Sequence, residues 1–452
     1  MFARTGAFGK PRAQIPWNFL RASGFPVRPY AAGMAPNPAL GSAQPSHPSD
    51  ARPDPAPAIG EGFPCAPDNL DALAAPELFP LDRSYTFLNH GSFGSVPHEV
   101  AACARRWREE IEARPIEMLD RRLDGLLRDA AREVARFVGS TPARTGFVVN
   151  ATEGVHAFLR SIRWNEGDEV IVLDQVYNAM RQQLLRLVEE EGIVVREIAL
   201  PWPVASDAEI AGLVEAAVGA RTRLAIIDHV TSPTAVVMPV GRIVASLRAR
   251  GVLVLVDGAH APGSIALEVD AIGADAYVAN LHKWTCAPKG CAFLAVGRGW
   301  EDRVRPLATS HRFREGFARE FDWQGTRDPS AWLTAPAAIA FFERFGWPRV
   351  RARNHAMAVW SQRLLAESWG VAPLTPLDGS LLASMAPVAV PDRVRARFPS
   401  ARALQAALYG HHRIEIPVIE WRDRWHVRVS CHLHVREADV LALRNALPDA
   451  RP

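Results

Sequence analysis

Lys283 stands in the stretch Asn280 to Gly290, "NLHKWTCAPKG", directly after "GADAYVA", which reads as a buried strand. A lysine there is either a strand-end side chain in water or an amine held in a pocket for nucleophilic work. Asp257 closes the apolar run "VLVLVD" that precedes it. If the two runs are neighbouring strands, carboxylate and amine reach the same end of one sheet. A salt bridge is one reading of that pair. The other is a pyridoxal phosphate site, where a lysine forms a Schiff base with the aldehyde and a carboxylate keeps the pyridine nitrogen protonated. The ring then withdraws charge from an adjacent carbanion.

Such a cofactor also needs donors for its phosphate. "VVNATEGVHAFLRSI" offers a strand, a short turn and a helix start. Thr152 brings a hydroxyl, and the first N–H groups of the helix, at Glu153 and Gly154, point toward an anion. A plain threonine cap is the alternative.

These residues need a frame. The runs "GFVVN", "EVIVLD", "IVVREI", "RLAIID", "VLVLVD" and "DAYVAN" are separated by amphipathic stretches of helical length. That alternation predicts an α/β fold with a mainly parallel sheet covered on both faces. Ligands in such sheets bind beyond the carboxyl ends of strands, here Asn150, Asp174, Ile198, Asp228, Asp257 and Asn280. Helices are expected over "VPHEVAACARRWREEIEARP" and from about Asp120 to Val138. After about Phe345 the pattern changes to a long helix, strand-like "MAPVAV", "RIEIPVIEW" and "WHVRVSCHLH", and a closing helix. The expected division is a disordered Pro/Ala-rich extension over 1–75, an N-terminal arm and large domain over 76–340, and a small α+β domain over 341–452. The extension resembles a targeting peptide in lacking acids before Asp50, but it has no apolar core segment; a start at Met34 is the alternative.

Composition sets limits. The 452 residues are 48% hydrophobic and 22% charged, which suits a globular chain of two domains. Net charge is +3, and five arginines and lysines precede the first acid, leaving about −2 for the remainder. No basic recognition helix appears, so neither a nucleic-acid surface nor a membrane span is expected. Five cysteines without a CxxC pair argue against a disulfide framework and for a reducing, cytoplasmic setting.

"VDGAHAPG" followed by "NLHKW" resembles the class V aminotransferase family of fold-type I pyridoxal-phosphate enzymes, and within it the isopenicillin N epimerase-like branch. "FLNHGSFGSVP", "NATEG", "WQGTRD" and "VRVSCHLH" match further signatures in order, from about Leu81 to the C-terminus. The resemblance implies a seven-stranded-type sheet and assigns roles. Lys283 would carry the cofactor, Asp257 would hold the pyridine nitrogen, and His260 would approach the 3′ oxygen. Thr152, Glu153 and Gly154 would hold phosphate, helped by Asn280 or His282. Tyr177 would stack on the ring. Ser232 stands where cysteine-acting relatives have asparagine. Thr326 would reach the phosphate of a neighbouring subunit, which implies a homodimer with shared sites. Arg428 would anchor the carboxylate of an amino-acid substrate, with Asn89 and His90 in the Gly-rich loop on the substrate side.

Class V reactions include transamination, C–S cleavage, desulfuration and racemisation. Desulfuration needs a mobile thiolate, and Arg413 in "GHHRIEIP" stands where the thiol would be. Epimerisation needs proton delivery on both faces of the α-carbon, with Lys283 on one and Tyr177 or His90 on the other. A β-eliminating C–S lyase like hercynylcysteine sulfoxide lyase is the alternative, and a class V transaminase a further one. A cofactor-binding module without turnover is the reading from another class, and no fused DNA-binding segment supports it. His411 with His412, or His432 with His434, are the candidates for a metal site; with no carboxylate or cysteine ligand at metal spacing, no metal is expected.

Overall fold

The computed structural model describes residues 69–204 and 206–451, so the expected extension lies largely outside the described residues. Its last part, 69–75, belongs with the folded chain. Ala75 N–H donates to Leu433 O at 2.7 Å, Arg353 Nε to Leu70 O at 2.9 Å, and Glu437 N–H to Asp71 Oδ1 at 3.1 Å. These partners lie far away in sequence, so composition alone does not reveal them.

The strands are β1 Thr86–Phe87, β2 Thr145–Val148, β3 Glu169–Leu173, β4 Val194–Ile198, β5 Thr222–Asp228, β6 Leu253–Asp257, β7 Ala276–Asn280, β8 Ala292–Val296, β9 Met385–Ala389, β10 Ile414–Glu415, β11 Val418–Trp421 and β12 Arg424–Ser430. Seven form the large sheet, in the order β2-β8-β7-β6-β5-β3-β4. All of its pairings are parallel except the two made by β8. Ile171, Leu173, Ala225, Ile227, Val254 and Val256 enter one core layer, while Val170, Val172, Leu224, Ile226 and Leu255 enter the other. Burial on both faces explains why these strands read as unbroken apolar runs. Each such Val, Leu or Ile side chain contributes about 1.5–3 kcal/mol when fully buried.

The six strands expected from alternation are present. β8 escapes that reading because no helix separates it from β7; it returns antiparallel through the short lysine loop. The first expected helix spans His98–Ala113. The second is preceded by a π-helical turn, Glu117–Arg122, runs over Leu123–Val138, and ends at Gly139 with φ +64°.

The smaller C-terminal domain has an antiparallel sheet, β11-β12-β9, with the helices Trp347–Trp369, Ala401–His412 and Glu437–Asp449. The first of these straddles both domains: Trp347 and Val350 pack into the large core, and Met357, Leu365 and Trp369 into the small one. The N-terminal arm is likewise shared. β1 pairs in parallel with β10, Thr86 opposite Ile414, and Leu88 exchanges backbone hydrogen bonds with Glu415 and Ser430. The Gly-rich loop that follows is therefore held between the domains.

Candidate active site

The lysine loop is the β7–β8 connection. Leu281 and His282 N–H both donate to Cys291 O, at 3.0 and 3.1 Å, and Cys286 N–H donates to Lys283 O at 3.0 Å. Cys286 takes a left-handed conformation, φ +58°. Gly94 lies against this loop with φ +70°; a Cβ there would sit 2.6 Å from His282 O and 2.9 Å from Lys283 O. The glycines of the "NHGSFG" stretch thus let the arm approach the lysine backbone.

Around Lys283 the strand ends converge as the alternation requires. Asp257 is in register with Asp228 on β5, and both are buried. Burial raises both carboxyls, Asp228 further because Asp257 lies beside it; the Lys283 charge opposes both shifts. Asp257 Oδ1 accepts from Ala259 N–H at 2.9 Å, and among the described residues no donor reaches Oδ2. Lys283 Nζ lies 3.1 Å from His260 Nε2. Burial, then the Arg428 charge, push the lysine down to about 7, against the pull of Asp257 and Asp228.

The helix Ala151–Arg160 begins beside this group, but most of its free N–H groups are already used. Ala151 N–H donates to Asn280 Oδ1 at 2.9 Å, Glu153 N–H to Asn150 Oδ1 at 2.9 Å, and Gly154 N–H to Asn150 O at 3.3 Å. Asn150, not Thr152, is the cap. Thr152 keeps its N–H and hydroxyl without a partner among the described residues. Gly154 serves packing, since a Cβ there would meet Val278 Cγ1 at 2.6 Å. His282 donates from Nδ1 to Cys291 O at 2.9 Å, and burial pushes its pKa down to about 4. In that neutral ring Nε2 carries a lone pair, an acceptor rather than a phosphate donor.

Arg428, on β12, is buried. Nη1 donates to the carbonyl of Ser232 and, at 3.4 Å, to its hydroxyl; Nη2 donates to Ser92 Oγ at 3.3 Å. Ser232 thus contacts Arg428, through a backbone oxygen as well as its side chain. Ser92 donates to Asn89 Oδ1 at 2.5 Å, and Asn89 Nδ2 donates to Glu415 Oε1 at 2.9 Å. Sequence reading singles out Asn89 but neither Ser92 nor Glu415, which come from the arm and from β10. Arg428 Nε is buried without a partner, and no carboxylate pairs with the guanidinium among the described residues. Burial lowers the guanidinium to about 10, with Tyr177 acting in the opposite direction. Tyr177 caps the helix Asn178–Glu191 and is 47% exposed.

His90 is placed differently from expectation. It is fully buried, with Nε2 3.1 Å from Lys283 O and Nδ1 3.0 Å from His434 Nε2. A carbonyl accepts, so Nε2 carries the proton and Nδ1 receives one from His434. Neither nitrogen is left for a substrate. His432 Nε2 reaches Trp284 O at 3.2 Å, while Leu433 N–H donates to its Nδ1. His90, His432 and Cys286 gather their ligand atoms within 4.8 Å, yet both imidazoles already serve the carbonyls of the lysine loop. His411 and His412 end a helix elsewhere. Thr326 is exposed between the helices Phe317–Asp322 and Ser330–Leu333 and makes no hydrogen bond among the described residues.

The groups left open are two donors at Thr152, Asp257 Oδ2 and Arg428 Nε, and beside them the Lys283 amine meets only His260 among the described residues. That set fits pyridoxal phosphate: donors for a phosphate, an acceptor for a protonated pyridine, an amine for an aldehyde, and a guanidinium for the carboxylate of an amino acid. The family comparison agrees. The aminotransferase class-V family model matches residues 97–443, and the chain belongs to that family of pyridoxal-phosphate-dependent enzymes. Within it, the chain is 33% identical to the isopenicillin N epimerase of Amycolatopsis lactamdurans, over 83% of this chain and 97% of that one. It is 36% identical to putative L-cysteine desulfhydrase 1 of Oryza sativa subsp. japonica, over 67% of each. Its fold resembles that of C-DES with glycine covalently linked to its PLP cofactor, at TM-score 0.72 and 21% identity, over 83% of this chain and 99% of that one. It also resembles the cysteine desulfurase CsdA of Escherichia coli, at TM-score 0.67 and 17% identity, over 83% and 96%.

Proposed function

We propose that the chain takes the α-proton from an amino-acid substrate and returns a proton to the opposite face, as an epimerase. The observation that carries the substrate class is Arg428, a buried guanidinium without a carboxylate partner among the described residues, whose charge reaches Lys283. When bound, pyridoxal phosphate supplies the electron sink for charge developing at the α-carbon. Lys283 and Asp257 would hold the cofactor, with Thr152 donating to its phosphate. Asp257, whose Oδ2 has no donor among the described residues, would favour the protonated pyridine nitrogen. Arg428 fixes the substrate carboxylate, which sets where the α-hydrogen points. The Lys283 amine takes that hydrogen on one face. Tyr177, exposed and near enough to act on Arg428, delivers a proton on the other.

The engagement of both His90 nitrogens favours a second reading, β-elimination with Lys283 as sole base and loss of a sulfur leaving group. Incubation with candidate amino acids in deuterated water separates the two. Inversion with α-deuterium and no small product supports the epimerase; release of pyruvate, ammonia and sulfide or sulfenate supports the lyase. Neither α-deuteration nor release of these products with any amino acid would contradict both. Retention of inversion in Tyr177→Phe would remove the tyrosine from its role.

A homodimer with shared sites is part of this reading. Thr326 and the 72%-exposed Phe93 beside the Gly-rich loop are free in the single chain to meet a second copy. Sedimentation at the mass of one 49.6 kDa chain would count against it. A reducing, cytoplasmic setting suits the free Cys103, Cys286, Cys291 and Cys431.

A further inference from the structure

We infer that Trp284 is a positioning residue that holds Lys283 as a free amine by fixing the tautomer of His260. Trp284 is fully buried, and its Nε1 lies 3.3 Å from His260 Nδ1. An indole nitrogen only donates, so His260 Nδ1 must accept. The neutral imidazole then carries its single proton on Nε2, the atom 3.1 Å from Lys283 Nζ. Nε2–H can donate only to a lone pair. An ammonium at Nζ would set N–H against N–H, whereas an amine accepts. Burial disfavours the imidazolium that would relax this constraint, and it lowers His260 well below its ordinary value. The residue after the lysine therefore selects its protonation state through a histidine from the β6 loop. The reading concerns these side chains in the cofactor-free chain, where Lys283 Nζ faces His260 alone among the described residues.

Trp284→Phe removes the N–H and keeps most of the ring. His260 is then free to move its proton to Nδ1 and offer Nε2 to an ammonium. The whole chain has three lysines, Lys10, Lys283 and Lys289, so amine labelling can be followed peptide by peptide. The experiment uses the full-length protein freed of pyridoxal phosphate. Trace acetic anhydride would label it across a pH series, with mass spectrometry reading the Lys283 peptide. The wild-type midpoint is expected near 7. In Trp284→Phe it should rise by about one to two units, cutting labelling at neutral pH roughly 5- to 50-fold. A merely structural role would lower the melting temperature and leave the midpoint in place, which would overturn the proposal. Nitrogen-15 NMR of the wild type, with His260 assigned by its loss in His260→Gln, supplies a measurement that does not depend on Trp284→Phe folding. A protonated Nε2 is expected; a protonated Nδ1 would overturn the assignment.

Discussion

Arg428 gives up its hydration for a shell that, among the described residues, is neutral: a carbonyl, two hydroxyls and no carboxylate. Such a guanidinium binds a planar anion through paired donors, which a lysine ammonium does not reproduce. Arg428→Lys is expected to cut kcat/KM for an amino acid by roughly 10- to 100-fold, the loss of one or two charged hydrogen bonds, while the bound-cofactor absorbance is unchanged. Steady-state kinetics beside a visible spectrum checks both parts. Lys283 makes the second prediction at this scale. With its pKa near 7, the free amine grows in as pH rises through that value. Capture of pyridoxal phosphate by the cofactor-free protein should therefore speed up through neutrality and level off above it. A rate still climbing toward pH 10, as for an ordinary lysine, would contradict the pocket described. Lys283 and Asp257 are legible in sequence because each follows a buried run. His90 is misread as a substrate-side group because its partners, Lys283 O and His434, are distant in the chain.

At the scale of elements, the site depends on how closely the helix Ala151–Arg160 approaches β7. Gly154 sits where a Cβ would lie 2.6 Å from Val278 Cγ1, a short branched side chain with little room to move. Gly154→Ala should destabilise the fold by about 1–3 kcal/mol through overpacking and weaken pyridoxal phosphate binding by shifting Thr152. Urea denaturation and cofactor titration report these effects separately. The motif "NATEG" is readable as a helix start, but the use of its N–H groups is not. Asn280 and Asn150 claim them from a strand end and a cap position, and only coordinates show the competition. β8 is missed for a related reason: alternation detects strands that a helix separates, and β8 follows a loop.

The whole molecule joins its domains beside the site. Arg422, on the β11–β12 turn, pairs with Asp174 at the end of β3 and donates to Leu200 O at 2.7 Å, while Trp202 meets Trp421 at 4.9 Å. Asp174 precedes Tyr177 by one turn, so this contact ties the tyrosine's loop to the sheet that carries Arg428. Burial raises Asp174 to about 6 despite the arginine. A carboxyl raised above its unfolded value near 3.9 binds more protons folded than unfolded between those two values. Its contribution to stability therefore falls as pH rises through about 4 to 6. Asp174→Asn should lack that component, so its stability relative to wild type should improve across the window. Denaturation midpoints at the two ends of the window would show it, and a constant difference would contradict it. The two-domain division is legible from the change of texture near Phe345. The sharing of the arm and of the helix Trp347–Trp369 between both cores is not, because it rests on packing between distant segments.

The measurement that bears most directly on the account is the visible absorbance of the purified protein beside Lys283→Ala. Wild type is expected to show the yellow band of lysine-bound pyridoxal phosphate, and the variant to lack it. A wild type that stays colourless after addition of pyridoxal phosphate, or a variant that keeps the same band, would contradict the assignment of Lys283.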